Sequence, residues 1–340
     1  VALSIFAITR GALWLVSWMV ANFFPGQSGA TFGQALFGLA CKWDCGWYLS
    51  IVNDGYSMVE PAVQPGATNY AFFPLFPMLV KALSGVLDVS PVTAGLLVSN
   101  AAFVAALAYI YRYATLLGGS ERAATLAVTL ICVVPGTFAF SVVYTESLFL
   151  LLLVAGMYHF RHGDFLLSSI AAALLSSVRA NGIFFLVFPI ASIIRTYGLA
   201  GLLQPWLNPR PFLPIVFAPL GLFLFWTYSF LTTGDAFAQA TTVAAGWGWR
   251  WQSPVASIST HLAGDAQAQY WMVSGLAVFA CSFFLLKQKL YEEFAFCFAV
   301  FLLIFGAQIP SSLLRYSIAL FPIWIGLANV LDRRDAAAAW

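Results

Sequence analysis

Charge is what this sequence has least of. Only 8% of its 340 residues are charged and 61% are hydrophobic, against roughly a quarter charged in a soluble domain. No water-soluble fold hides that much apolar surface. Alternating apolar and polar stretches of about ten residues are also missing, which excludes a transmembrane barrel and leaves helices to satisfy the backbone in lipid. No Asn-x-Ser/Thr sequon occurs, which favours a prokaryotic source, and a bacterial or archaeal plasma membrane over the endoplasmic reticulum. The net charge of +2 is scattered over loops, so nothing marks a nucleic-acid surface or an acidic tail. The expected partners are membrane lipids. Five cysteines, Cys41, Cys45, Cys132, Cys281 and Cys297, form no paired metal signature, and three lie in apolar segments where a buried inert thiol is the ordinary state. An oxidising compartment would allow a Cys41–Cys45 disulfide, but on a regular helix their spacing suits bridging poorly, so two free thiols are expected.

What the chain has in abundance is apolar length. The mean hydropathy is +0.88, and apolar segments run over 2–24, 91–117, 122–140, 145–160, 164–180, 182–197, 212–232, 269–287, 291–307 and 315–331. Each approaches the length that crosses about 30 Å of hydrocarbon. The first reads as a retained span rather than a cleaved signal. The stretch 72–87, carrying Pro74, Pro77 and Lys81, is too short to cross and reads as an interfacial helix. The predicted architecture is therefore an all-α polytopic membrane protein of about ten transmembrane helices. With the N-terminus inside, nine basic residues, Arg112, Arg122, Arg161, Arg195, Arg210, Lys287, Lys289, Arg333 and Arg334, fall on cytoplasmic ends. Five others, Lys42, Lys81, Arg179, Arg250 and Arg315, fall outside, which is the bias that orients membrane proteins.

This topology makes the whole of 1–340 one transmembrane domain with two large external loops, 25–90 and 233–268. The first places Asp44 among Trp43, Trp47 and Tyr48, with Lys42 close by. A carboxylate among aromatics at a bilayer edge is suited to general-base work; equally, it is placed to cap a helix or to pair with Lys42. The second loop carries Asp235, Trp247, Trp249 and Trp251. Those tryptophans suit an interfacial belt better than sugar stacking. The three histidines, His159, His162 and His261, lie apart and support no metal site.

Trp43-Asp44-x-x-Trp47-Tyr48-Leu49-x-Ile51-x-x-x-Gly55-Tyr56, followed by Ala71-Phe72-Phe73-Pro74-Leu75-Phe76-Pro77, resembles the motif of the PIG-V type mannosyltransferases, the GPI mannosyltransferase 2 family. Further patches follow in that family's order. They are Pro135 with Tyr144-Thr145-Glu146-Ser147-Leu148-Phe149, then Ser177-Val178-Arg179-Ala180-Asn181-Gly182, Gly234-Asp235-Ala236-Phe237 with Gln239 and Trp247, and Arg315-Tyr316 before Phe321-Pro322. The resemblance implies a GT-C glycosyltransferase fold with membrane-parallel helices and an acidic catalytic residue in the first external loop. It also implies a polyprenyl-phosphate-linked mannose donor, no cofactor, no metal, and inverting transfer to a hydroxyl of a lipid, glycan or protein acceptor.

On that basis Asp44 is the expected catalytic base. The expected substrate contacts are Trp43, Trp47, Tyr48, Glu146, Arg179, Asn181, Asp235, Arg315 and Tyr316. Arg179 and Arg315 present forks suited to a lipid phosphate, with snorkelling as the plain alternative. Glu146 suits a substrate hydroxyl or a helix N-terminus, and Asn181 suits a turn or the orientation of Arg179. The rival reading is a flippase that moves a polyprenyl-linked sugar without chemistry, which calls for acidic residues along a path inside the spans.

Overall fold

The computed structural model describes residues 1–23, 31–60, 64–307 and 312–338; the loop 25–90 therefore lies partly outside the described residues. Among these, all regular structure is helical, apart from a single bridge between Trp251 and Ala307. α1 (Ala2–Phe23) is followed by the short α2 (Phe32–Ala40) and α3 (Cys45–Asp54), and by α4 (Leu75–Leu87). The long α5 (Pro91–Leu116) leads to α6 (Glu121–Val133), α7 (Glu146–His162), α8 (Phe165–Val178) and α9 (Val187–Leu202). α10 (Leu213–Phe217), α11 (Leu220–Thr233), α12 (Ala238–Trp247) and α13 (Pro254–Leu262) come next. α14 (Ala266–Lys287), α15 (Tyr291–Phe305), α16 (Leu313–Ile318) and α17 (Phe321–Ala338) close the chain.

Helices thus occupy every predicted apolar segment. Five helical stretches, Ala2–Phe23, Pro91–Leu116, Ala180–Leu202, Arg210–Thr233 and Ala266–Lys287, are long and apolar enough to cross a bilayer. The others are shorter or broken. α6 stops at Val133 because Pro135 excludes the residue before it from helical geometry. The last segment breaks between Ile318 and Phe321, ahead of Pro322, which a helix tolerates only in its first turn. α4 has 13 residues, about 20 Å of helix and less than a span.

Local signals set the ends. Ser90 caps α5 by accepting from the Thr93 N–H, with Pro91 at the first helical position. Asp265 caps α14 through the Ala268 N–H. Gly163, at φ 83°, ends α7 in the left-handed region that glycine enters freely.

The core lies between α5, α6, α7 and α17, where Phe103, Leu107, Phe140, Leu150, Val154 and Phe321 are fully buried. Close approach needs small residues, because lipid supplies no hydrophobic drive between helices. A Cβ on Gly221 of α11 would sit 2.5 Å from the Ala173 carbonyl oxygen of α8. α1 faces outward along almost its whole length, its one buried residue being Arg10. That guanidinium donates to the Cys132 carbonyl, left without a helical partner by the end of α6, and to the Thr137 carbonyl at 3.0 Å. Arg10 is the basic residue that the topology count does not include, and it fastens the first helix to the bundle.

The charged groups gather at the two ends of α7. Its 17 residues separate them by about 25 Å. At the far end Arg161 and Arg195 meet Glu292 and Glu293 of α15, and Arg122 pairs with Asp332. At the near end lie Asp44, Glu146, Arg179 and Arg315. Three of the expected cytoplasmic arginines, Arg122, Arg161 and Arg195, therefore share one end of the bundle, and Asp44, Glu146, Arg179 and Arg315 share the other.

Candidate active site

Four chain segments build the site. Asp44 precedes α3 with φ −64° and ψ −18°, and its side chain makes no capping bond. The carboxylate instead accepts from Arg315 Nη1 of α16 through Oδ2, at 2.6 Å. Both the helix-cap reading and the Lys42 pairing give way to a contact 271 residues distant. Arg315 Nε stands 3.1 Å from Glu146 Oε1, and its Nη2 donates to Ser312 Oγ at 3.1 Å. Arg179 Nη2 donates to the same Glu146 oxygen at 2.6 Å, and its Nε to Thr145 Oγ1 at 2.8 Å.

Two carboxylates and two guanidinium groups thus form one neutral, interlocked cluster. Its members differ in access: Asp44, Arg315 and Arg179 keep 20%, 19% and 16% of their side chains exposed, whereas Glu146 keeps 1%. A ligand can reach the first three. Glu146 opens α7 from beneath them, and its Oε2 is buried with no hydrogen-bond partner among the described residues.

Aromatic rings floor the cluster. The Tyr316 ring lies 5.0 Å from the Arg179 guanidinium carbon and 5.4 Å from that of Arg315, and the Tyr144 ring lies 5.1 Å from Arg315. Such faces attract the cations and hold them flat. Tyr48, one turn into α3 from Asp44, is buried with its hydroxyl 3.3 Å from Thr145 Oγ1. Burial pushes its phenol well above the ordinary range, so it stays protonated. Trp47 stacks on Phe72 with ring centroids 6.0 Å apart and leans on Trp247 at 5.4 Å. That contact joins the two loops beside the site and places Trp247 in a packed aromatic wall. Trp43 is exposed, in the left-handed region at φ 49°.

Arg179 is held out by local geometry. It is extended, at φ −158°, between α8 and the 3-10 turn Ala180–Leu186. Gly182 packs so tightly there that a Cβ would lie 2.5 Å from the Leu175 carbonyl oxygen. Asn181 in the same turn leaves its Oδ1 buried without a partner among the described residues. Asp235 does not join the cluster: its carboxylate accepts from the Phe237 N–H at 2.8 Å and the Thr241 hydroxyl at 3.0 Å, shaping the entry to α12. Thr145, Tyr144 and Ser312 are partners that sequence reasoning missed. The first two sat inside a quoted motif, where only their neighbour Glu146 received a role.

The expectation of free thiols at Cys41 and Cys45 is overturned, because the two are disulfide-bonded. That expectation presumed a continuous helix. α2 instead ends at Ala40 and α3 starts at Cys45, and the turn between them, with Trp43 left-handed, brings the Cα atoms to 5.0 Å. The bridge closes a small ring around Asp44 and adds about 2 kcal/mol by chain entropy. In denaturant without reductant three thiols should titrate, and five after reduction; five at the outset would exclude the bridge.

Two solved structures share the fold. An oligosaccharyltransferase, AglB from Archaeoglobus fulgidus, in complex with an inhibitory peptide and a dolichol-phosphate, superposes with a TM-score of 0.52 at 11% identity, over 99% of this chain and 51% of that one. The apo form of the Archaeoglobus fulgidus oligosaccharyltransferase gives 0.53 at 13% identity, over 99% and 51%. The chain spans about half the length of these enzymes and has the GT-C membrane glycosyltransferase fold.

Its family follows from sequence. Residues 19–204, more than half of the chain, match the family Mannosyltransferase (PIG-V), and the chain belongs to it. The GPI alpha-1,6-mannosyltransferase 2 of Cricetulus griseus is 29% identical over 159 residues, 44% of this chain and 31% of that protein.

Proposed function

We propose that the chain is an inverting mannosyltransferase that uses a polyprenyl-phosphate-linked mannose and works on the non-cytoplasmic face of a membrane it crosses about ten times. The observation that carries this is the convergence of one accessible carboxylate, Asp44, with two accessible arginine forks, Arg179 and Arg315. Inverting transfer to a hydroxyl asks for those groups. Asp44 takes the proton as the acceptor oxygen forms its bond to the anomeric carbon, and the bond from that carbon to the phosphate oxygen breaks. Polyprenyl phosphate leaves with the electron pair, and the guanidinium groups meet its growing charge. Inversion turns a β-linked donor into an α-mannoside, in keeping with the α linkage in the name of the Cricetulus griseus relative.

Two features support the non-cytoplasmic face. The disulfide beside Asp44 belongs in an oxidising compartment. Arg161 and Arg195, two of the expected cytoplasmic arginines, lie at the opposite end of α7. A flippase is less well served, since Asp44 and Glu146 sit together at one end of the bundle rather than along a path through it. Glycolipid, glycan and protein hydroxyls all fit the acceptor role.

The direct test incubates the purified chain with labelled polyprenyl-phosphate-mannose, an acceptor extract and membrane lipid. Release of free polyprenyl phosphate together with a mannosylated product is expected. Movement of intact donor across vesicles with neither product would make the chain a flippase. Arg179→Lys keeps the charge and loses the fork, so donor affinity should fall by about tenfold with the fold intact. Unchanged affinity would remove Arg179 from the phosphate site.

A further inference from the structure

Arg315 faces two demands at once. Its Nη1 is committed to Asp44 Oδ2 at 2.6 Å, although the proposed chemistry needs that carboxylate to accept a proton and needs the arginine to hold a phosphate. The remainder of the guanidinium is anchored elsewhere: Nε lies 3.1 Å from the sealed Glu146, Nη2 donates to Ser312, and Tyr144 and Tyr316 flank the plane. The Nη1 partner, Asp44, is a fifth exposed, whereas the Nε partner, Glu146, is 1% exposed. The Nη1 contact can be exchanged while the anchors stay.

We infer that Arg315 is passed from Asp44 to the donor phosphate, so that donor binding itself frees the catalytic base, with Glu146 as the positioning residue that keeps the guanidinium within reach of both. The inference rests on the donor reading above. It gives Glu146 a task that needs no contact with substrate. Its one paired oxygen serves Arg179 and Arg315 together, holding two forks for a single phosphate. It also couples the two substrates: before donor arrives Asp44 Oδ2 is held by an N–H, and donor binding returns that oxygen to the acceptor hydroxyl.

The test measures binding of a short-chain polyprenyl monophosphate, without sugar, to the full chain in detergent, across a double-mutant cycle. In the wild-type background Asp44→Asn should tighten binding by on the order of tenfold, because the phosphate no longer competes with a carboxylate for Arg315. In an Arg315→Gln background the gain from Asp44→Asn should vanish. If Arg315→Gln does not yield monodisperse protein, Arg315→Met, with Glu146 still paired to Arg179, takes its place. A gain of equal size in both backgrounds would reduce Asp44 to simple charge repulsion and overturn the exchange. So would unchanged or weaker binding in Asp44→Asn, provided the Arg315 variant still weakens binding to the parent chain. An Arg315 variant that binds the phosphate as well as the parent removes Arg315 from the donor site, which is the failure of the donor reading rather than of the exchange alone.

Discussion

Asp44→Asn should lower turnover by about two orders of magnitude or more while polyprenyl-phosphate-mannose still binds. A general base contributes roughly 100- to 10,000-fold, and the amide cannot take the acceptor proton at neutral pH. The variant isolates that loss when turnover is read at saturating donor, where the tighter phosphate binding expected of it does not enter. The side chain keeps its size, and its amide oxygen can still accept from Arg315 Nη1, the contact Asp44 makes at 2.6 Å. Asn caps a helix about as well as Asp, and Asp44 makes no capping bond in any case, so α3 loses nothing. A two-order fall corresponds to about 2.7 kcal/mol of transition-state stabilisation, measured as kcat by release of polyprenyl phosphate at saturating donor. Near wild-type turnover would exclude Asp44 as base. Glu146, 1% exposed, would then be a poor successor without a rearrangement that opens it.

How much of this was legible in the sequence depended on distance along the chain. Apolar runs and prolines placed the helices, because a backbone in lipid has almost no other way to satisfy its hydrogen bonds. The Arg179-x-Asn181-Gly182 turn was legible for the same local reason, and the structure adds that Gly182 fits where no Cβ would. The contact of Asp44 with Arg315 was not legible, since nothing in two short patches 271 residues apart says that their side chains touch. The Cys41–Cys45 bridge was misread because helical spacing was applied across a turn. Arg10 carried no signal either, since its partners are backbone carbonyls whose freedom depends on where another helix stops. Asp235 shows the converse: it looked like a site residue by its motif, yet its hydrogen bonds shape a local turn.

Glu292 and Glu293 went unread in the sequence, and the largest stability effect should come from the second. Glu293 is fully buried and accepts from Arg161 Nη2 at 2.7 and 2.9 Å and from the Tyr113 hydroxyl at 2.6 Å. Glu293→Ala removes the carboxylate and leaves Arg161 and Tyr113 under-partnered between α5, α7 and α15. Breaking a buried pair from one side costs about 3–5 kcal/mol. The lower part of that range is expected, because Arg161 keeps Glu292 at 3.3 Å and the Phe188 ring at 5.4 Å. Glu293→Gln preserves the volume and an acceptor for Tyr113, so it should cost less. The measurement is the thermal unfolding midpoint in mild detergent at one scan rate, since unfolding of such proteins is rarely reversible. Alongside it, donor affinity of the folded fraction should hold, because the site lies at the other end of α7, about 25 Å away. An unchanged midpoint in Glu293→Ala would mean that the cluster adds nothing to stability, as happens when desolvation offsets the attraction between charges. A lost donor affinity with an unchanged midpoint would mean instead that the two ends of α7 are coupled.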